Sequence, residues 1–378
     1  MRNIVKAVLA VLCGAVLLLA PARASMVDSA AELERFLAGE AVNGIKDSIP
    51  QEAQEAMEGQ GISSFSELIS LPVQQVWEML IATVKSELGA PLKVLLSLIA
   101  AALLCGVVSG VGSSLGGSVH RVFAIIMTVF VISLLIRPLI DSILSLQTVF
   151  TDFSLFLAAY IPVFAGIVTS AGQPMTGALY NVLLFGACQG VNTVLQAAFI
   201  PVISCYLSLA IVTEVVPQMG LQSIVTGFKK VITWGLGLSV TLFVGLLSLQ
   251  SVVAGSGDSV AVKTTKFMIG SLIPGVGGSL SELYMATRGC VQLVKNTVGA
   301  AGIVIAVLTF LPVLMRILIW QAVTAVGSIA GEMLGSGEIS RLLKAIGSAL
   351  SVMLAVALYY AMLFIVSTSL MILAFKGG

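Results

Sequence analysis

Between Gly177 and Val216 the chain runs for 40 residues with Glu214 as its single charge. Built as one helix at about 1.5 Å per residue, the tract would be roughly 60 Å long, twice the ~30 Å hydrocarbon core of a bilayer. A water-soluble domain has no layer thick enough to bury it. Pro201 cannot donate a backbone hydrogen bond, and the sequence predicts that it divides the tract into two antiparallel spans, the second of them short. Comparable tracts recur at Leu95–Gly112, Val119–Ile136, Phe153–Ala171 (interrupted by Pro162), Val231–Ala254, Ala300–Trp320 and Leu350–Phe375. The expected fold is all-α and polytopic, with seven or eight transmembrane helices. Only 10% of residues are charged and 58% are hydrophobic, against roughly 25% charged in a soluble domain. There is too little charge here for a soluble enzyme, a disordered chain or a nucleic-acid binder.

The formal net charge of +1 conceals three regions of different character. Residues 1–24 carry Arg2, Lys6 and Arg23, an apolar run from Ala7 to Ala20, and Ala22-Arg23-Ala24, the pattern of a secretory signal peptide; an uncleaved anchor is the alternative. Residues 25–90 hold eleven acids against Arg35, Lys46 and Lys85 and read as a small acidic helical segment outside the cytoplasm. In it, Ser64-Phe65-Ser66-Glu67 has the form of a capping box. From Val73 to Leu88 apolar residues recur at helical spacing, and these stripes are expected to pack on each other or on the membrane part. Residues 91–378 form the polytopic domain, with a basic excess.

Three amphipathic stripes precede spans: Leu221 to Ile232, Leu283 to Val298, and Ile339 to Ile346. Their basic residues, Lys229, Lys230, Arg288, Lys295, Arg341 and Lys344, lie off the apolar face. Such helices are expected in the interface plane, with lysine and arginine snorkelling to headgroups. Lysine and arginine counts do not fix the orientation of the domain.

Residues 255–298 are the most informative. Gly255-Ser256-Gly257-Asp258 is expected to open a polar loop, followed by Lys263 and Lys266. Phe267 to Leu280 is apolar but contains Pro274, Gly275, Gly277 and Gly278. A broken backbone at membrane depth is tolerated only against protein or a water-filled cavity. The segment therefore suggests a re-entrant element, with an interfacial loop as the alternative. Tyr160-Ile161-Pro162-Val163-Phe164-Ala165-Gly166 is a weak echo of Leu272 to Gly278, the pairing of broken segments seen in transporter-like repeats. Candidate conduit or interaction residues are Pro162, Glu214, Lys263, Lys266, Pro274, Gly275, Gly277, Lys295 and Asn296.

No catalytic, cofactor or metal residues stand out. The single histidine, His120, shares one short loop with Ser113, Ser114 and Ser118, which does not make a protease. Cys105, Cys188, Cys205 and Cys290 are isolated and match no zinc or redox spacing. Gly106/Gly110, Gly186/Gly190 and Gly327/Gly331 have the spacing that lets membrane helices approach closely. Asn181, Gln189, Asn192 and Gln196 fall on one helix, where they line a polar path or bond to neighbouring helices.

Phe243-Val244-Gly245-Leu246-Leu247-Ser248-Leu249-Gln250, Val262-Lys263-Thr264-Thr265-Lys266-Phe267, Ile273-Pro274 and Leu293-Val294-Lys295-Asn296-Thr297-Val298-Gly299 together resemble the stage III sporulation protein AE family. The resemblance implies a multi-pass protein of the mother-cell membrane around the forespore, and a part in a transenvelope channel complex. Its implied partners are the other stage III sporulation A-operon membrane proteins, a separate ATPase subunit, and stage II sporulation protein Q across the intermembrane space. It implies no enzyme activity and no cofactor. A self-contained secondary transporter is the alternative function.

Overall fold

The computed structural model describes residues 87–115, 117–216, 220–272 and 277–373, with 44–59 (except 46) and scattered positions between 62 and 85. Side chains at 109–121 and at most positions from 251 to 290 are outside the description. So are the signal-peptide segment, the Ser64–Glu67 box, and Ile273 to Val276 with Pro274 and Gly275.

The described residues are helical almost throughout. Helix α1 is Gln51–Glu58. Helix α2 is Gly89–Leu115 and α3 is Gly117–Ser170. Helices α4 (Pro174–Leu179), α5 (Phe185–Val194) and α6 (Ile200–Val215) are joined by the π turns Tyr180–Leu184 and Leu195–Phe199. Helices α7 (Gln222–Leu272), α8 (Gly277–Met333) and α9 (Gly337–Leu373) complete the chain. Among the described residues, six helical stretches are long and apolar enough to cross a membrane.

The difference from the expected spans arises at three prolines. Val119–Ile136 and all but the last residue of Phe153–Ala171 belong to one 54-residue helix, α3, with Pro138 and Pro162 inside it. The 177–216 tract likewise continues through Pro201, which stands in the first turn of α6 directly after a π turn. In water an interior proline breaks a helix because a carbonyl loses its donor and meets the ring. Packed against neighbouring helices, the chain tolerates the loss, and the wider π turn gives the Pro201 ring room. The Gly255–Asp258 stretch is also not a loop: it lies within α7. Each of the three amphipathic stripes is continuous with the helix that follows it. In the third, Ile339, Leu342, Leu343 and Ile346 face the core as the first turns of α9.

The α8–α9 hairpin is the centre of the bundle, with 67% and 72% of its apolar windows buried. Its turn follows from Gly335, at φ +75°. The Gly335 N–H donates to the Glu332 carbonyl (3.2 Å) and the Ser336 N–H to the Gly331 carbonyl (2.8 Å). That is a Schellman ending, which glycine adopts without a Cβ penalty. Against the hairpin lies an aromatic seam. Phe150, Phe153, Phe156, Tyr160 and Phe164 recur every three or four residues on one face of α3, all fully buried. Phe153 meets Phe310 and Phe364 edge-on at 5.0 and 5.5 Å, and Tyr160 meets Phe364 at 5.4 Å. Each such pair contributes about 0.5–1.5 kcal/mol beyond its buried area. Gly302 makes room for the seam, since a Cβ there would come within 2.5 Å of the Tyr160 ring.

The acidic N-terminal segment is attached to this core. Ile45, Ile49 and Ala53 are buried in it, so here the segment's apolar face packs on the membrane part. At the other extreme, α7 has only 6% of its apolar window buried.

Candidate functional site

Lys295 carries the most unusual environment in the chain. Its side chain is 0% exposed, on α8, and its Nζ donates to the Met371 carbonyl of α9 at 3.1 Å. The bond is charge-assisted and gives the buried ammonium an acceptor on the neighbouring helix. The snorkelling expected of Lys295 does not occur, because α9 covers the position it would have reached from.

Polar groups gather around the same level of the bundle. The Tyr160 hydroxyl donates to the Val298 carbonyl at 3.0 Å, and the Tyr180 and Thr368 hydroxyls are 3.1 Å apart. Gly299 is needed for close approach: a Cβ there would come within 2.8 Å of Ile372 and 3.1 Å of Phe164. Asp258 on α7 acts on a second helix terminus. Its carboxylate accepts from the Met175 N–H (2.9 Å), the Thr176 N–H (3.1 Å) and the Thr176 hydroxyl. Gln173 precedes Pro174 without capping it, so Asp258 is the cap, supplied from another helix and 7% exposed. One carboxylate thereby supplies the acceptors that an N-cap side chain normally provides. Asp258→Ala is expected to cost about 2–3 kcal/mol, more than one ordinary cap because three bonds are lost. Thermal melting of the detergent-purified protein measures this, with Asp258→Asn falling between variant and parent.

The other sequence candidates disperse. Pro162 lies between Tyr160 and Phe164 and so shares the Lys295 level. It does not break α3. Asn296 is half-buried and accepts from the Gln292 side chain at 3.4 Å. Lys263 is exposed on α7, and Lys266 is on the same helix. Gly277 is the first residue of α8. Glu214 is half-buried and pairs with Arg341 at 3.6 Å, facing the protein. Arg341 and Met371 are 30 residues apart on α9, about 45 Å, so Glu214 and Lys295 do not form one site. Gln189 bonds to Ser154 at 2.9 Å and Gln196 to Thr151 at 3.2 Å, so these amides hold α3 in place.

One feature the sequence did not disclose is a charged cleft of about 800 Å³ between α1, α2, α3 and α8. On its wall, Arg316 grips Glu87 through Nη2 (2.7 Å) and Nε (3.2 Å), and its Nη1 donates to the Ser145 hydroxyl at 2.8 Å. Burial raises the Glu52 carboxyl above the ordinary carboxylate range; Asp152 and Glu55 add to the rise and Arg316 opposes it. An arginine inside an apolar tract is a signal that a partner exists, but the partner, 229 positions away, cannot be read from spacing.

A family model described as Stage III sporulation protein AE matches residues 60–374. The chain belongs to the stage III sporulation protein AE family. A Bacillus subtilis (strain 168) protein named stage III sporulation protein AE is 22% identical over 219 residues, 58% of this chain and 55% of the relative. This chain thus spans about half the length of that relative. No solved structure matches. Membership gives the chain a role in sporulation, and the buried Lys295 falls inside the Leu293–Gly299 motif that carries the resemblance.

Proposed function

We propose that this chain is a membrane subunit of a channel complex that joins mother cell and forespore during endospore development, and that it shapes part of the conduit. On this reading it resides in the mother-cell membrane and places residues 25–90 in the intermembrane space. It works with the other stage III sporulation A-operon membrane proteins, the separate ATPase subunit and stage II sporulation protein Q, and has no enzymatic role of its own. The observation that carries the proposal is α7. Its 29-residue apolar stretch, Gln222–Gln250, lies at the edge of the bundle with only 6% of its window buried, and Trp234, Leu242 and Leu249 are exposed along it. A carrier that works alone packs its spanning helices around the path, whereas a subunit keeps apolar surface for neighbours.

The test is photo-crosslinking from positions 234, 242 and 249 in sporulating cells, paired with flux assays on the purified chain in liposomes. The expected result is crosslinks to another protein of the same operon and no solute uptake by the isolated chain. Solute uptake without partners would replace the proposal with a self-contained secondary transporter.

A further inference from the structure

The cleft beside Arg316 offers charges that the fold itself does not consume. Arg316 is committed to Glu87 and Ser145. Arg137 and Asp141 line the cleft from α3, and among the described residues neither has an ion-pair partner. Glu52 lines it from α1, with its Oε2 buried and without a donor among the described residues. Among the described residues, the opening therefore presents one cation without an ion-pair partner and two carboxyl groups within a single cavity. Pro138 and Pro312 also line it, and a proline has no N–H to give the carbonyls of Leu134 and Leu308. Those carbonyls are further acceptors near the site.

The surroundings say what kind of molecule brings such charges. Ile136, Ile140 and Leu144 form an exposed apolar row on α3, four residues apart, and Leu92 and Leu96 are exposed on α2. Leu144 belongs to both the row and the cleft. A polar cavity opening onto an apolar strip has the layout of a headgroup site with its acyl chains alongside.

We propose that this cleft binds the headgroup of an amine-bearing zwitterionic phospholipid, of the phosphatidylethanolamine type. Arg137 takes the phosphate, and Asp141 with Glu52 accepts hydrogen bonds from the primary ammonium. A phosphatidylcholine headgroup carries the same charges but has no N–H to donate, so the site discriminates between them by hydrogen bonding.

Native mass spectrometry of the detergent-purified full chain with an equimolar mixture of the two lipids tests this. The wild type is expected to retain phosphatidylethanolamine over phosphatidylcholine by about fivefold, the ratio that roughly one net hydrogen bond provides. Asp141→Asn combined with Glu52→Gln should bring the ratio to about one, the expected loss of that hydrogen bond. Arg137→Lys, which keeps the charge, should leave the ratio intact, and the melting temperature confirms that each variant folds. Equal retention in the wild type, or an undiminished preference in the double variant, would overturn the proposal. Displacement of the lipid by glycine or phosphoethanolamine at the lipid's own concentration would overturn it too, in favour of a site for a soluble zwitterion.

Discussion

Replacing Gly106 with alanine is expected to cost about 1–3 kcal/mol, while the same change at Gly186 or Gly190 costs nothing. All three glycines stand in identical Gly-x-x-x-Gly spacing, so the contrast isolates packing from motif. A Cβ at Gly106 would overlap the backbone carbonyl oxygen of Leu334, at the α8–α9 turn. No rotamer change relieves a clash with backbone; α2 itself has to move off the hairpin. At Gly186 and Gly190 a Cβ meets nothing within 4 Å, and alanine gains up to about 1 kcal/mol of helix propensity. Melting temperatures of the three variants in one detergent are the measurement. A Gly106→Ala protein as stable as its parent would mean that α2 does not sit against the turn.

The second large effect concerns Lys295. Lys295→Ala removes three carbons and the ammonium from a fully buried position and strips the Met371 carbonyl of a donor. The expected loss is about 2–4 kcal/mol, from cavity and unsatisfied acceptor together. Lys295→Met keeps the volume and removes the cost of burying an ammonium, so it should lose under about 1.5 kcal/mol. The two variants separate packing from charge. In a spore-forming host, Lys295→Met should accumulate to the parent level yet reduce heat-resistant spores by about tenfold or more, since a charge kept at membrane depth is ordinarily there for function. Normal sporulation by Lys295→Met would make this lysine a packing residue and nothing more.

The sequence showed the helical, membrane-embedded class because apolar tract length is set by bilayer thickness alone. It also placed Glu214 correctly, since an acid near the end of a tract has an escape to the interface or the protein interior. Continuity was less legible. Pro162, Pro201 and the Gly255–Asp258 stretch all read as breaks, because local rules for proline and glycine describe a helix surrounded by water. Whether a helix survives them depends on what packs alongside, and that is a long-range property. Lys295 was misplaced for a related reason. It stands four residues after Val291 and three before Val298, on the apolar stripe and not off it, and α9 returns 76 residues later to cover that face. The Arg316–Glu87 pair and the Asp258 cap join segments 229 and 82 residues apart, and no periodicity connects them.

Two contacts that bracket the pairing of α2 with α8, one just before α2 and one just after α8, have a geometric consequence. Glu87 is tied to Arg316, and Gly106 is pressed against Leu334. The intervals are 19 residues from Glu87 to Gly106 and 18 from Arg316 to Leu334, about 27–29 Å at helical rise. The two helices run in parallel register over very nearly the thickness of one hydrocarbon core. An extra helical turn inserted between the anchors would force one of them to let go. The pair therefore works as a length gauge, fixing how much of the 57-residue α8 can lie beside a helix that crosses once.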